Sequence, residues 1–233
     1  MDQPGPDTAE IYQALGELNF INRLLGGHRV TLSGIHRLLS GNRRPYRIID
    51  FGCGGGGTLR AIHEWSRSNE YQVELTGLDV MPEAIDYSRR LLGDVEYLHL
   101  VRTDFRDFAP AENAYDIALC SLFMHHFYDQ DLDLLLETMQ RSAALGIVIN
   151  DLHRHVLAER SIRLLTRLFS KSRLVQYDGP LSVRKGFSRR DLEGIFRRVN
   201  FTGYTIRWRW AFRYLIVVPN GKHSEEGGNA QPL

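Results

Sequence analysis

Two groups of residues in this 233-residue chain have types and spacings that suit chemistry. The first is Asp50-x-Gly52-x-Gly54-x-Gly56, an acid among glycines at the end of an apolar run. Glycines let backbone N–H groups approach a ligand because no Cβ is in the way. The helix predicted to follow presents unpaired N–H groups and a positive dipole end. The second group is the pair His125-His126, which suits proton transfer because histidine ionises near neutral pH.

The glycine group has two interpretations that its spacing alone does not separate. As Gly52-x-Gly54-x-x-Gly57 it fits the fingerprint of dinucleotide-binding proteins. As Asp50-x-Gly52-x-Gly54-x-Gly56 it resembles motif I of the class I S-adenosylmethionine (SAM) methyltransferases. The acid favours the second interpretation, since a carboxylate suits the cationic amino-acid end of SAM and would repel a pyrophosphate. The chain also lacks the Tyr-x-x-x-Lys pair of short-chain dehydrogenases.

The elements that must position these residues alternate between strands and helices. Apolar runs predict seven strands, at 47–51, 71–79, 95–101, 115–121, 145–151, 201–209 and 211–218. The last two are joined too tightly for a helical crossover, so they are predicted to pair antiparallel. Strands that alternate with helices predict a parallel, doubly wound sheet. The expected fold is therefore α/β, with a Rossmann-like sheet that is mostly parallel and has one antiparallel strand near the C-terminal end.

Helical patterns predict the organisation around this sheet. Two N-terminal helices, one from Asp7 or Thr8 and one that stops at Gly41-Asn42, form a predicted cap, with His28 in a loop that is exposed or folds over a ligand. A helix at 153–169, a loop at 170–187 and a helix capped by Ser188 follow the fifth strand. The predicted boundaries are 1–44 for the tail and cap, 45–218 for the main domain with a lid at 153–187, and 219–233 for a disordered tail.

Acids also stand at the ends of the second and third strands. Asp79 ends the second strand, where a carboxylate can bind both ribose hydroxyls of a nucleoside. Alternatively, Asp79 only caps the next helix. Thr103, Asp104 and Phe105 follow the third strand, and an isolated loop acid there would carry no meaning by itself.

Taken in order, these motifs resemble the class I SAM-dependent methyltransferase family over residues 45–218. The resemblance implies SAM as cofactor, with its amino-acid end on the glycine group and its ribose on Asp79. It also implies that Asp104 meets the adenine amino group and that Phe105 packs on the ring. The implied cofactor-binding residues are Asp50, Gly52, Gly54, Gly56, Asp79, Val80, Thr103, Asp104, Phe105 and Ser121.

The histidine pair bears on the methyl acceptor. Met124-His125-His126-Phe127-Tyr128-Asp129 resembles the His-Asp-Trp-Ser-Asp stretch of small-molecule O-methyltransferases, which implies His125 as the general base. His126 replaces the Asp of that stretch, so either histidine is a candidate, and a structural or cofactor-proximal role is the alternative. His153 and His155 are further candidates. A base suits a phenol, carboxylate or enol, so we expect methylation of a small aromatic, polyketide or quinone-like acceptor, at oxygen rather than carbon.

Other classes of methyl acceptor lack their motifs. Ser121-Leu122-Phe123-Met124 stands where DNA- and protein-amide N-methyltransferases carry Asn/Asp-Pro-Pro-aromatic. Magnesium-dependent catechol methyltransferases place an Asp at position 121 and an Asp-Asn after the fifth strand. Ser121 replaces the first of these acids, and Asn150-Asp151 matches the Asp-Asn pair only in part, so no metal is expected. C-methylation, RNA or protein methylation and non-catalytic SAM binding remain alternatives.

Composition and charge limit the expected binding partners and cellular location. A formal net charge of +1 gives no general attraction to nucleic acid or membranes, and no DNA partner is expected. The two cysteines form no disulfide framework. The acidic, polar N-terminus does not resemble a signal peptide, and no apolar run reaches the ~18 residues of a membrane span. We therefore expect a cytoplasmic protein without a membrane span.

Residues 153–190 carry ten basic side chains and two acidic ones. One interpretation is a solvated helix face. The other is a lid over an anionic or carrier-bound substrate. As a docking surface for RNA or protein, the same segment would serve the alternative acceptors.

Overall fold

The structure is a computed structural model that describes residues 7–39, 44–93 and 95–220. Its seven strands are β1 (Tyr46–Phe51), β2 (Val73–Asp79), β3 (Leu98–Arg102), β4 (Tyr115–Ser121), β5 (Ala143–Leu152), β6 (Thr205–Arg209) and β7 (Arg213–Pro219). The α-helices are α1 (Thr8–Leu24), α2 (Gly27–Leu38), α3 (Gly57–Ser68), α4 (Pro82–Leu92), α5 (Asp129–Ser142), α6 (Val156–Phe169), α7 (Arg173–Lys185) and α8 (Arg189–Arg198). A 3-10 turn at Met124–His126 follows β4.

The strands form one mixed sheet in the order β3-β2-β1-β4-β5-β7-β6. β1 pairs in parallel with β2 and β4, while β7 is antiparallel to both β5 and β6. The predicted fold class is therefore confirmed. After β1 the chain winds outward through β2 and β3, and then returns to β4 on the other side of β1. Open α/β sheets bind ligands at such a switch point, outside the carboxyl ends of the strands.

Helices cover both faces of the sheet, and the strand side chains alternate between them. One core joins strand residues such as Ile49, Ala118 and Ile149 to apolar residues of α5 and α8. The opposite core joins Ile48 and Val148 to residues of α2, α3 and α4. Because both faces are covered, the central strands read as continuous apolar runs, which made them easy to predict.

The predicted loop at 170–187 is wrong over most of its length, because α7 spans Arg173–Lys185. Gly179-Pro180 conceals this helix in the sequence, since both residue types disfavour helix interiors. Ser172 nevertheless caps the helix by accepting a hydrogen bond from the N–H of Val175 (3.4 Å). Val175 and Val183 are buried. Packing of this apolar side therefore outweighs the local cost of the proline.

Other predicted boundaries are close to those found. Asp7 caps α1, and the capping box at Ser188 opens α8 as expected. The predicted disorder before Asp7, the stop at Gly41-Asn42 and the tail from residue 221 lie outside the described residues. The first two tail residues are ordered: Pro219 ends β7, and the N–H of Asn220 donates to the carbonyl of Leu145 (3.0 Å). Among the described helices, none combines the length and apolar character needed to cross a membrane.

Asn150 ties the N-terminal helices to the sheet. It is fully buried on β5, and its amide nitrogen lies 3.0 Å from the carbonyl oxygen of Gly27 and 2.9 Å from Oγ1 of Thr31. These contacts fix the start of α2 directly above the carboxyl end of β5. A wall of the ligand site is thereby attached to the central sheet.

Candidate active site

A cavity of about 450 Å³ opens at the carboxyl ends of β1, β4 and β5 and at the amino end of the antiparallel strand β7. The glycine turn after β1 and the residues after β4 form its floor, α1 and the start of α2 form one wall, and α6 and α7 form the other. Most of the lining is apolar, with Leu15, Leu25, Ile162 and Leu165 among the side chains that border it. The size and lining suit a small organic ligand.

Glycines in the turn after β1 serve different purposes. Gly52 and Gly54 have φ of +69° and +52°, which favours glycine at both positions. A Cβ at Gly52 would lie 2.1 Å from the ring of Phe123, whereas a Cβ at Gly54 would meet nothing within 4 Å. Gly54 is therefore the position where the backbone is open to a ligand. Gly56 instead lets α3 pack on α4, because a Cβ there would lie 2.8 Å from Oγ of Ser88.

Two carboxyl groups organise this turn. Oδ2 of Asp79 accepts a hydrogen bond from the N–H of Gly54 (2.9 Å), and Oδ1 accepts one from the N–H of Met81 (2.9 Å). Asp50 is almost fully buried, and its Oδ1 has no hydrogen-bond partner among the described residues. Burial, and then the charge of Asp79, raise the pKa of Asp50 well above its ordinary value. A cationic group near this turn would give Asp50 the partner that it lacks.

The loop after β3 departs in part from what the sequence implied. The N–H of Thr103 donates to the carbonyl of Asp79 (3.1 Å), so the two loops are joined. Hydrogen bonds from Arg106 occupy the Asp104 carboxylate and lower its pKa. Phe105 is only 3 % exposed and packs edge-to-face against Phe127 in the core, so it has little free surface for a purine. Val80, by contrast, is 57 % exposed beside Asp79.

His125 and Asp151 form a buried pair at the floor of the cavity. Nδ1 of His125 lies 2.7 Å from Oδ1 of Asp151, and the N–H of His125 donates to Oδ2 (3.2 Å). Burial acts to raise the pKa of Asp151, but the neighbouring His125 and the hydrogen bonds outweigh it and leave the pKa below its ordinary value. An ionised Asp151 keeps the proton on Nδ1, so Nε2 is the acceptor nitrogen. Nε2 has no partner among the described residues.

The other candidate histidines differ in their surroundings. His126 borders the cavity beside His125, with ring centroids 4.3 Å apart, and burial followed by the charge of His125 lowers its pKa. His155 caps α6 by accepting from the N–H of Leu157 (3.1 Å). His153 accepts from the indole N–H of Trp208 (3.3 Å). Neither His153 nor His155 lines the cavity, so their placement does not favour the base role.

His28 lies in the first turn of α2, not in a loop, and faces the cavity. Its Nε2 lies 3.1 Å from Oδ1 of Asn19, and its Nδ1 lies 3.4 Å from Nδ2 of Asn22. Burial, and then the charge of Arg213, lower the pKa of His28 to about 4. The ring is therefore neutral at physiological pH. Its hydrogen bonds join α1 to α2.

The lid places its basic residues away from the cavity. Its cavity-facing residues are Ala158, Ser161, Ile162, Leu165, Asp178, Gly179, Ser182 and Val183. None of the ten basic side chains at 153–190 lines the cavity. Arg163 and Arg184 both pair with Glu159, and Arg154 pairs with Asp191. These contacts favour the solvated-face interpretation of the basic residues, although the segment itself does cover the cavity.

Glu17 of α1 holds the turn between α6 and α7. Its carboxylate accepts hydrogen bonds from the hydroxyl of Ser170 and from the N–H groups of Lys171 (3.1 Å) and Ser172 (3.3 Å). Burial acts to raise the pKa of Glu17, but these bonds outweigh it and lower the pKa. We call this contact the Glu17 clasp. It joins the two walls of the cavity at their outer edge.

We expect Glu17→Gln to lower the melting temperature by a few degrees at pH 7, because an amide cannot accept all three donors. A lowered folded-state pKa means that the clasp stabilises the fold fully above the ordinary pKa of about 4.5 and loses this effect as pH falls through the lower, folded value. The difference between wild type and variant should therefore shrink on acidification from pH 7 to pH 4. Glu10→Gln, on the same helix, is the matched control and should show no such pattern. A gap that widened toward pH 4 would contradict the assignment.

Comparison with known proteins identifies the domain. Residues 48–146 match a family described as a methyltransferase domain. Residues 48–146 are therefore a methyltransferase domain. Ajmaline N-methyltransferase from Rauvolfia serpentina is 25% identical over 157 residues, which cover 60% of this chain and 50% of that protein. The chain thus spans about half the length of this curated relative.

Solved structures share the fold of this methyltransferase domain. A SAM-dependent methyltransferase from Aquifex aeolicus has a TM-score of 0.60 and 13% identity, with 92% of this chain and 98% of that one covered. The plantazolicin methyltransferase in complex with S-adenosylhomocysteine (SAH) has a TM-score of 0.58 and 22% identity, covering 86% and 80%. These likenesses show the fold, and the match of residues 48–146 to a methyltransferase domain sets aside the dinucleotide interpretation of the glycine turn and supports SAM as the cofactor.

Residues of the methyltransferase domain fit SAM at its amino-acid end. The open backbone at Gly54 and the unpaired, buried carboxyl of Asp50 suit the ammonium group. Asp79 shapes the same turn and stands beside the exposed Val80. Gly52, Gly54, Ser121, His125 and His126 border the cavity; Asp50, Gly56, Asp79, Val80, Thr103, Asp104 and Phe105 do not. Sequence reasoning did not assign a role in this site to Asp151, Glu17, Asn19 or Arg213, because the packing of separate helices and strands brings each of them to the site.

Proposed function

We propose that this protein is an enzyme that methylates an oxygen of a small, largely apolar acceptor, with His125 as the general base. The observation that carries the proposal is the buried His125–Asp151 pair, in which Nε2 of His125 has no partner among the described residues and His125 itself borders the cavity. When bound, SAM supplies a methyl group on a positively charged sulfur. A base and a methyl donor at one cavity are what methylation of a hydroxyl needs.

The chain's residues have separate tasks in this proposal. Asp151 holds the His125 ring by Nδ1, so that Nε2 accepts the proton of the acceptor hydroxyl. With SAM bound, transfer of its methyl group to the acceptor oxygen would break the carbon–sulfur bond, release SAH and the methyl ether or ester, and leave the acceptor's proton on His125. Apolar side chains of α1 and α6 exclude water from this step. Asp50, Gly54 and Asp79 hold the cofactor side.

The cavity supports a small acceptor. A volume of about 450 Å³ suits an acceptor of the aromatic, polyketide or quinone-like kind rather than a macromolecule. The enclosing walls and the outward basic residues offer no support for RNA or protein as acceptor. C-methylation of a similar acceptor uses the same base and differs in the atom methylated.

N-methylation is a second candidate, favoured by the likeness to ajmaline N-methyltransferase. An amine that arrives protonated also needs a base. The two candidates differ in product, since one yields an N-methyl and the other an O-methyl group. Carbon-13 methyl shifts of the product separate them.

Calorimetric titration with SAM, SAH and NAD⁺ is the first test of the proposed function. We expect micromolar binding of SAM and SAH and no binding of NAD⁺. A screen of phenols, hydroxy acids and amines with methyl-labelled SAM then tests turnover by mass spectrometry, with heat-denatured protein as control. Binding of SAH without methylation of any member of the screen would favour a non-catalytic SAM-binding protein.

A further inference from the structure

Arg213 is a buried arginine on the wall of the cavity. It is the first residue of β7, pairs with Leu152 of β5 and is only 3 % exposed. Alternation along β7 places its side chain on the same face as Leu215, toward α2. The guanidinium carbon would lie 3.0 Å from a Cβ at Gly27, which locates the group at the start of α2.

The guanidinium is not neutralised by its surroundings. Nε and Nη1 of Arg213 have no hydrogen-bond partner among the described residues. Burial lowers the pKa of Arg213 to about 10, opposed by the charge of Asp151, so the side chain is still protonated at pH 7. A buried cation without a partner is costly, and proteins rarely keep one without use.

The acidic and histidine side chains near the guanidinium do not neutralise it. Asp151 accepts hydrogen bonds from His125 at both oxygens and from the N–H of Leu152 (2.7 Å). His28 is neutral at pH 7 and bonded to Asn19. Asp178 borders the same cavity from the lid, but it makes no hydrogen bond to Arg213. The donor edge of Arg213 is therefore free for a ligand.

We propose that Arg213 binds a carboxylate of the methyl acceptor, so that the substrate is an organic acid. This assignment rests on the proposed function. A carboxylate matches the guanidinium edge with two parallel hydrogen bonds, which a single hydroxyl does not. The unpaired Nε and Nη1 stand on different edges of the guanidinium, and each shares its edge with Nη2, so either edge can present two parallel N–H groups to a carboxylate.

Strand order places this subsite on the acceptor side. Three strand spacings separate β1 from β7, which is roughly 14 Å at ~4.8 Å each. The glycine turn that takes the amino-acid end of SAM follows β1, whereas His125 follows β4 and Asp151 lies on β5. An acceptor held at Arg213 would extend across β5 toward His125. The carboxylate of SAM itself is the other source of the same chemistry, and the test separates the two.

Binding of carboxylate probes to the SAH-saturated protein tests the proposal. Benzoate, 4-hydroxybenzoate and 6-hydroxy-2-naphthoate are each compared with the corresponding amide by calorimetry. At least one acid should bind wild type about tenfold or more tighter than its amide, and Arg213→Met should abolish that preference. Arg207→Met, an exposed arginine on β6, is the matched control and should retain it. No preference in any pair, or a preference unchanged in Arg213→Met, would overturn the proposal.

Two further measurements locate the carboxylate and check the fold. SAH and 5′-methylthioadenosine, which lacks the amino-acid end, should each bind Arg213→Met within about twofold of wild type. A loss confined to SAH would assign Arg213 to the cofactor and overturn the acceptor subsite. The melting temperature of Arg213→Met should equal or exceed that of wild type, because an unpaired buried charge is removed. If Arg213→Met does not fold, Arg213→Lys supplies the same comparison. Its preference for the acid over the amide should be weaker than that of wild type, because an ammonium group cannot make the two parallel hydrogen bonds of a guanidinium.

The subsite and the proposed function fail separately. The probe experiment measures binding and needs no turnover. An acid preference that depends on Arg213, in a protein that methylates nothing, would support the subsite and refute the enzyme. Turnover of uncharged phenols without any acid preference would support the enzyme and refute the subsite.

Discussion

His125→Ala is expected to lower kcat by about 10²- to 10⁴-fold, which is the usual contribution of a positioned base. Affinity for SAH should stay within about threefold, because His125 lies on the acceptor side of the cavity. Asp151→Asn should lower kcat by a comparable factor, since an amide at Oδ1 no longer fixes the proton on Nδ1. Stopped assays with labelled SAM give kcat, and calorimetry gives the SAH affinity.

Controls separate loss of the base from loss of the fold. His153→Gln, outside the cavity, should keep near-normal activity. Near-normal turnover in His125→Ala would remove the base assignment, and a large loss confined to His126→Ala would move it to the neighbouring ring.

Asp79→Ala should weaken SAM binding by about 100-fold or more. The carboxylate accepts hydrogen bonds from Gly54 and Met81, and bonds to a charged group contribute roughly 1.5–3 kcal/mol each. Losing both releases the turn that faces the cofactor and removes the implied ribose contact as well. Calorimetric titration with SAM measures the change.

Comparison variants show whether Asp79 acts by charge or by shape. Asp86→Ala removes an exposed carboxylate that pairs with Arg89, so its SAM affinity should match wild type. Asp79→Asn preserves the size but replaces one acceptor oxygen with a donor, and should resemble Asp79→Ala. Unchanged SAM affinity in Asp79→Ala would show that the cofactor binds elsewhere.

The parts of the fold that could be predicted are those set by local sequence. The strand at Tyr115–Ser121 is found at its predicted bounds, because a strand buried on both faces is a continuous apolar run. The capping box at Ser188 is likewise contained in four residues. By contrast, α7 was missed because packing on its neighbours outweighs a local proline.

The parts of the site that could not be predicted depend on distant partners. His125 was a candidate from its neighbours in sequence, but the residue that orients it, Asp151, stands 26 positions away. Arg213 looked like any strand-end arginine until the antiparallel pairing with β5 placed it over the cavity. Phe105 followed the expected motif, yet its burial against Phe127 makes it a core residue. Burial and pairing across the sheet determine these roles, and a short sequence motif predicts neither burial nor pairing.

The cavity is assembled from two sources, and this has a practical consequence for engineering. The glycine turn and the histidine pair lie within residues 48–146, the matched domain. The walls come from α1 and α2 before it and from the lid and residues 210–213 after it. We therefore expect that grafting other wall segments onto an unchanged floor would change which acceptor the proposed enzyme takes. Such a chimera must keep Asn150, because its side-chain amide hydrogen-bonds β5 to the start of α2.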